Sequence, residues 1–129
     1  MYKATKILYF EAAHRIEGHE GGCQNLHGHS YKVEITLQAH RLDELGMVAD
    51  FAEIKRIANE RIQRYDHSYL NEVGNFSNNG INPTAENLAH SLYHFIKDKL
   101  MDYDKERGLK VNSIKVWETK DSYAEYSEG

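Results

Sequence analysis

The sequence predicts an α+β protein, a four-stranded antiparallel sheet with two helices on one face, in one domain spanning residues 1–129. Segments near both ends of the chain alternate apolar and polar residues, as strands do. Two central segments carry apolar residues at helical spacing. The predicted order is therefore strand, strand, helix, helix, strand, strand.

The first two strands are predicted from the N-terminal part of the chain. Apolar and polar residues alternate from Tyr31 to Ala39, which is the period of a half-buried strand. Extending this parity backward places His27 and His29 together on the apolar face. An earlier strand is predicted from Lys3 to about Ala13, and a Gly-rich polar loop from Glu17 to Asn25 joins the two.

Two helices are predicted in the centre of the chain. Asp50 and Glu53 open the first in the manner of a capping box, and it should run to about Arg64. A loop from Asn71 to Asn82 follows, and Thr84 caps the second helix. The apolar stripe of the first helix is Phe51, Ile54, Ile57, Ala58 and Ile62, and that of the second is Leu88, Leu92, Phe95, Ile96 and Leu100.

The C-terminal segment returns to strand periodicity. Ile114, Val116 and Glu118 share one face of a third strand, a turn spans Thr119 to Asp121, and Ser122 to Tyr126 forms a fourth strand. Four twisted strands are too few to close a barrel, so the sheet keeps open edges that can pair with other subunits. We therefore expect a homo-oligomer.

Composition favours a small-molecule partner. The 16 basic and 20 acidic residues give a net charge of −4, with no long run of either sign, so no nucleic-acid or membrane partner is expected. A single cysteine excludes an internal disulfide, and no secretory signal is recognisable, which predicts a cytoplasmic location. No apolar stretch approaches the roughly 20 residues that span a bilayer.

Three histidines could supply the protein ligands of a catalytic zinc site. His27 and His29 flank Gly28, which has no side chain to crowd them, and His14 lies at the end of the preceding strand. Three nitrogen ligands leave a fourth position for water or substrate, whereas structural sites rely heavily on cysteine. His19 is an alternative third ligand in a more flexible, Gly-rich setting.

Cys23 is the candidate base for proton transfer. A lone cysteine is more often a small buried hydrophobe, but this one lies in a polar loop four residues before His27. Thiols are mostly protonated at neutral pH, so proton transfer needs a partner such as an imidazole oriented by a carboxylate. Asp66 and His67 could supply that pair, and the alternative is that they form a polar helix terminus.

Two further groups of polar residues need an explanation. Glu118 shares the inward parity of its strand, where a carboxylate requires donors such as adjacent N–H groups of a ligand. The alternative is that the strand ends at Trp117 and Glu118 faces water. His90 and His94 lie four apart on the second helix, so a second metal site is conceivable, but without an HExxH motif we favour a solvated helical face.

Taken together, six segments resemble the 6-pyruvoyltetrahydropterin synthase family, and in particular its bacterial branch, the 6-carboxy-5,6,7,8-tetrahydropterin synthases of queuosine biosynthesis. CxxxHGH with the upstream histidine and the downstream Trp-Glu-Thr is the specific part of the match. The segments are Phe10 to His14, Cys23 to His29, Met47 to Phe51, Asp66 to His67, Asn82 to Asn87 and Val116 to Thr119.

The resemblance implies the tunnelling fold, in which strand pairs and helices of several subunits assemble into barrels, and a homo-hexamer built as a dimer of trimers. It also implies active sites at subunit interfaces. The implied roles are Zn²⁺ binding by His14, His27 and His29, proton transfer by Cys23, Asp66 and His67, and pterin binding by Glu118, with Thr84 and Glu86 near the pterin pocket.

The implied reaction converts 7,8-dihydroneopterin triphosphate to 6-carboxytetrahydropterin, acetaldehyde and triphosphate. Elimination of triphosphate to give 6-pyruvoyltetrahydropterin is the nearest alternative, but only three residues separate Cys23 from His27, and animal-type enzymes resemble a longer interval. A third branch, which makes 6-hydroxymethyldihydropterin, usually places a glutamate in the cysteine region, where this chain has Gln24, Asn25 and Leu26.

Two hypotheses lie outside this class of enzymes. A zinc-containing module could bind a pterin without chemistry, and Cys23 would then be dispensable. A metal-dependent hydrolase would act on phosphate or amide substrates, and the lack of HExxH argues against it.

Overall fold

The computed structural model describes residues 1–101 and 103–129 and contains one mixed sheet with helices packed against it. Its sheet order is third, first, second, fourth and fifth strand, in chain numbering. The elements are β1 (Tyr2–His14), β2 (His27–Ala39), α1 (Phe51–Tyr65), β3 (Ser68–Tyr69), α2 (Gly74–Ser77), α3 (Ala85–Leu100), β4 (Lys110–Thr119) and β5 (Ser122–Tyr126).

The α+β class and the four long strands agree with the sequence prediction, but the four-stranded, wholly antiparallel sheet was wrong. The sheet has a fifth strand, β3, which pairs parallel with β1 at Ala12 and Ala13. Two residues are too few to show a strand period, and this pairing arises because the chain turns back beside β1 after α1. The segment from Asn71 to Asn82 also contains the short helix α2, where we expected only a loop.

The core lies between the sheet and the two long helices. Tyr31, Val33 and Ile35 of β2 are fully buried, while α1 packs on β1 and α3 packs on β4 and β5. Phe51 differs from the prediction, since it belongs to the apolar stripe of α1 but is 51% exposed. Periodicity indicates the face that a side chain takes, but not whether a neighbour covers it.

Both edges of the sheet are open within the described chain. β5 is one edge, and at the other β3 covers only the end of β1, so residues 2–11 of β1 have no strand neighbour on that side. Unpaired backbone N–H and C=O groups along such an edge can pair with another chain. Separately, no helix in the described residues is long and apolar enough to cross a membrane.

Side chains cap both long helices as predicted. The Ala52 N–H donates to Asp50 Oδ1 at 2.8 Å, and the Asn87 N–H donates to Thr84 Oγ1 at 3.1 Å. Glu53 does not complete a capping box, because its carboxylate pairs with Arg56 instead.

Replacing Asp50 by alanine should lower the free energy of unfolding by about 1 kcal/mol, because the Ala52 N–H loses its acceptor. Urea denaturation followed by circular dichroism measures the change. Asp50→Asn keeps a side-chain oxygen and should stay within a few tenths of a kcal/mol of the wild type. An equal loss in both variants would show that the carboxylate charge, not the hydrogen bond, matters.

Candidate metal and proton-transfer site

Three histidine side chains meet at the end of the β1–β2 pair. In the strand register His14 lies opposite His27 and Ala12 lies opposite His29, so all three imidazoles take the same face of the sheet. The ligand atoms of the three rings lie within 4.8 Å of one another. Among the described residues, these histidines are the cluster of potential ligands that could hold a metal ion. The parity argument from the sequence therefore placed these side chains correctly.

Backbone carbonyls orient two of these rings. His14 Nδ1 lies 2.7 Å from the Pro83 carbonyl oxygen, and His27 Nδ1 lies 2.7 Å from the Asn25 carbonyl oxygen. Because a carbonyl only accepts, we assign the ring proton to Nδ1 in both histidines, which leaves the Nε2 lone pairs free. The Tyr31 hydroxyl lies 3.2 Å from His14 Nδ1 and adds a second contact.

The donor set fits a metal ion. His14 Nε2 and His27 Nε2 lie 2.9 Å apart, and with both protons on Nδ1 neither nitrogen can donate to the other. His29 Nε2 is buried without a hydrogen-bond partner. Buried polar atoms are rarely left unpaired, and a shared cation would satisfy all three lone pairs.

Burial keeps two of the imidazoles in the form that binds metals. Desolvation lowers the pKa of His14 and of His29 below the usual value of 6.5, and the nearby Glu118 carboxylate opposes the shift without reversing it. Both rings are therefore neutral at pH 7, which is the state in which an imidazole nitrogen can bind a metal.

The metal-free protein should lose stability as the pH falls from about 7.5 to 5.5. The unfolded chain binds protons at histidine near pH 6.5, whereas His14 and His29 in the folded chain bind them only at lower pH. Their contribution is therefore complete above pH 6.5 and is lost as the pH drops through the lowered pKa values. Urea midpoints measured in chelator test this, and His29→Asn should flatten the slope; an unchanged slope in that variant would contradict the assignment.

Glu118 faces the histidines, as its inward parity predicted. One carboxylate oxygen lies 3.9 Å from His14 Nε2 and the other lies 3.9 Å from His29 Nε2, with the side chain 29% exposed. Glu118 and Glu86 line a common depression of about 190 Å³. Thr84 caps α3 at the same end of the molecule. The depression can therefore present carboxylates to a ligand beside the histidines.

Asp66 and His67 form a pair at the end of α1. The Glu11 backbone N–H donates to Asp66 Oδ1 at 2.9 Å, which lowers the pKa of that carboxyl group, and Asp66 Oδ2 lies 3.1 Å from His67 Nδ1. His67 has a left-handed backbone with φ of 56°, and its side chain is 79% exposed. The predicted carboxylate–imidazole contact therefore exists, and its outer ring nitrogen is accessible.

His29 and His67 line one open cleft of about 420 Å³, together with Glu11 and Ser30. A separate cavity of about 260 Å³ near Leu37 and Leu100 contains none of the candidate residues. Glu11 and Ser30 alternate with Ala12 and His29 along the paired strands, so their side chains take the sheet face opposite the three imidazoles. The cleft therefore places His67 beside that other face, and neither His14 nor His27 lines it.

Cys23 was predicted to act with Asp66 and His67, but one chain does not show a hydrogen bond between them. It is exposed in a 3-10 turn, Gly22–Gln24, and in the described residues no hydrogen bond joins its thiol to Asp66 or His67. His19 also lies apart from the histidine group, and its Nδ1 accepts from the Gly21 N–H. On α3, His90 is exposed and His94 lies 3.4 Å from Glu128.

Sequence reasoning missed the groups that orient the histidines. Two of these groups are backbone carbonyls, those of Pro83 and Asn25, which side-chain patterns do not reveal. The third is the Tyr31 hydroxyl, which is distant from His14 in sequence. Asn25 lies two residues before His27, which is the one local signal that could have indicated its role.

The chain matches known proteins over nearly its whole length. Residues 3–129 match the family model described as 6-pyruvoyl tetrahydropterin synthase. The chain belongs to this family. Relatives named 6-carboxy-5,6,7,8-tetrahydropterin synthase occur in Rickettsia bellii, at 41% identity over 97% of this chain and 99% of the relative, and in Haemophilus influenzae, at 30% identity over 99% and 100%.

Solved structures of other proteins share the fold. The Caenorhabditis elegans 6-pyruvoyl tetrahydropterin synthase superposes with a TM-score of 0.82 at 22% identity, covering 99% of this chain and 96% of that one. An uncharacterized protein from Wolinella succinogenes gives 0.79 at 21% identity, covering 99% and 98%. At these identities the likeness establishes the fold alone.

Proposed function

We propose that this chain is a zinc-dependent 6-carboxy-5,6,7,8-tetrahydropterin synthase. It converts 7,8-dihydroneopterin triphosphate and water to 6-carboxytetrahydropterin, acetaldehyde and triphosphate, in queuosine biosynthesis. The observation that carries the proposal is the convergence of three imidazole nitrogens, one of them buried without a partner, in a chain whose relatives bear this enzyme name.

His14, His27 and His29 would hold the zinc ion through Nε2. When bound, zinc supplies Lewis acidity toward the side-chain hydroxyl oxygens of the substrate. The Pro83 and Asn25 carbonyls keep the His14 and His27 rings in the required orientation.

Glu118 positions the pterin ring. A carboxylate accepts two parallel N–H bonds, as the amino-pyrimidine edge of a pterin can donate, and Glu118 is partly exposed within 3.9 Å of two imidazoles. Binding the ring there holds the substrate side chain beside the histidines, which lowers the entropic part of the barrier. Glu86 and Thr84 complete the rim on α3.

Cys23, His67 and Asp66 transfer protons. The Cys23 thiol group exchanges a proton with a side-chain carbon of the substrate, and the accessible nitrogen of His67 takes up or returns that proton. Asp66 Oδ2 stabilises the charged imidazole through His67 Nδ1, 3.1 Å away.

Assembly would bring these residues together. The Cys23 thiol makes no hydrogen bond to the Asp66–His67 pair in the described residues of one chain, and the edge of β1 is open. We therefore propose active sites shared between subunits of a cytoplasmic homo-hexamer, a dimer of trimers whose protomers are the single domain of residues 1–129. Analytical ultracentrifugation of the full chain tests the assembly, and a monomer at micromolar concentration would contradict it.

The activity test is incubation of the zinc-loaded protein with 7,8-dihydroneopterin triphosphate, followed by mass spectrometry. The expected products are 6-carboxytetrahydropterin and acetaldehyde. Accumulation of 6-pyruvoyltetrahydropterin or 6-hydroxymethyldihydropterin instead would assign the chain to another branch. Ring binding without any product would indicate a pterin-binding module.

A further inference from the structure

Two asparagine side chains hold the segment that follows β1. The Arg15 N–H donates to Asn71 Oδ1 and Asn71 Nδ2 donates back to the Arg15 carbonyl, both at 2.9 Å. In the same way the Glu17 N–H donates to Asn82 Oδ1 at 3.1 Å, and Asn82 Nδ2 donates to the Glu17 carbonyl at 2.9 Å. An amide side chain carries both a donor and an acceptor. Each asparagine therefore makes the two hydrogen bonds to one backbone residue that a neighbouring strand would otherwise make.

The residue between these two contacts holds the cysteine loop on the other side. The Ile16 N–H donates to the Cys23 carbonyl at 2.7 Å, and the His19 N–H donates to the Ile16 carbonyl at 3.3 Å. In an extended chain the backbone groups of successive residues point to opposite edges. The segment 15–17 therefore has asparagine side chains along one edge and the Cys23 backbone on the other.

These hydrogen bonds tie the loop to the rest of the chain. Every residue from Glu17 to Leu26 is exposed, so burial of apolar side chains does not fix this part of the chain. The two asparagines, in contrast, lie on well-anchored segments. Asn71 follows Leu70, which is fully buried. The Asn82 carbonyl accepts from Asn87 Nδ2 at 2.8 Å and from the Thr84 N–H at 2.9 Å, at the start of α3.

We propose that Asn71 and Asn82 are positioning residues that fix Cys23 relative to the metal-binding histidines. This inference rests on the proposed function, in which Cys23 transfers protons. The Arg15–Asn71 contact begins one residue after His14, and the Asn82 contact lies one residue before Pro83, whose carbonyl orients His14. The same short segment therefore links the metal ligand and the cysteine loop, which makes their separation independent of motion elsewhere in the loop.

Asn71→Ala and Asn82→Ala should each lower kcat about 10- to 100-fold, because a misplacement of about 1 Å at a reacting group costs on this order. KM and zinc content should stay within about threefold of the wild type. Asn79→Ala is the matched control, since the Asn79 side-chain amide donates to the Asn75 carbonyl and, among the described residues, makes no hydrogen bond to residues 15–17. It should keep wild-type kcat.

A nitroxide attached to the single cysteine gives a readout that needs no substrate. The electron paramagnetic resonance spectrum should show a restrained label in the wild type and in Asn79→Ala, and a mobile label in Asn71→Ala and Asn82→Ala. In a Cys23→Ala background the two asparagine substitutions should cause no further loss of kcat, because they act through that thiol.

Wild-type label mobility and kcat in both asparagine variants would overturn the proposal. So would a loss of activity that accompanies a loss of zinc, or one that persists undiminished in the Cys23→Ala background. If the wild-type protein formed no pterin product, the proposed function would fail, but the label spectra would still decide whether the asparagines restrain Cys23.

Discussion

Replacing His29 by alanine is expected to abolish metal binding and catalysis together. His29 Nε2 is buried and has no hydrogen-bond partner among the described residues, so the substitution removes a ligand that makes no competing hydrogen bond. Two remaining imidazoles bind zinc too weakly to retain it, and the lost Lewis acidity corresponds to several kcal/mol of transition-state stabilisation. Zinc content should fall from about one per chain to near zero, and pterin formation should fall at least about 1,000-fold.

Elemental analysis after gel filtration and the mass-spectrometric product assay measure these two losses. His90→Ala is the control, because His90 is an exposed histidine on α3, away from the histidine group. It should keep both zinc and activity. Circular dichroism should show a folded His29→Ala protein, since this side chain is partly exposed, whereas His14 is 1% exposed and is less suitable for the test. A His29→Ala variant that retained full zinc and activity would contradict the metal site.

The geometry of the histidines could be predicted because it follows from strand periodicity. Once the alternation of residues 31–39 was extended to His27 and His29, both side chains had to share the face that Tyr31 uses. The direction of the Glu118 side chain followed from the same alternation in β4. The capping roles of Asp50 and Thr84 followed from the residue types that cap helices. In each case the local sequence alone determines the direction of the side chain.

Contacts across long sequence separations could not be predicted in this way. The parallel pairing of β3 with β1 depends on the left-handed backbone of His67, which a two-residue strand does not reveal. Asn71 and Asn82 contact residues more than fifty positions away through side-chain amides, and asparagine in a polar segment is ordinarily typical of a turn. Such contacts depend on tertiary packing, which has no local period.

The candidate metal ligands and the residues proposed to transfer protons differ in how fully one chain assembles them. The candidate metal ligands are complete within one chain, because a single strand pair carries all three. Cys23 and His67, which we propose transfer protons, lie on an exposed loop and at an exposed helix end, where a second subunit can reach them. One chain therefore carries every candidate metal ligand, whereas under the proposed function the proton-transfer residues meet only in the assembly.

Replacing Cys23 by alanine should lower kcat by about 10² to 10⁴, the range for loss of a general acid or base, and should leave zinc content unchanged. Substrate binding should stay within about threefold, because Cys23 is exposed in a turn outside the histidine group. Product formation in single-turnover experiments and calorimetric titration with a non-reactive pterin separate the two effects. A Cys23→Ala protein with the wild-type rate would contradict the proton-transfer role.

Mixed assemblies of two variants test whether Cys23 and His67 of one site come from different chains. Cys23→Ala and His67→Ala assemblies are each expected to have a strongly reduced rate, but refolding the two chains together would create sites with Cys23 from one chain and His67 from another. If these residues act across a subunit interface, random mixing of equal amounts restores activity at about a quarter of the sites. If both must come from the same chain, every site lacks one group and the mixture keeps the reduced rate. The mixture therefore distinguishes a shared site from one that closes within a single subunit.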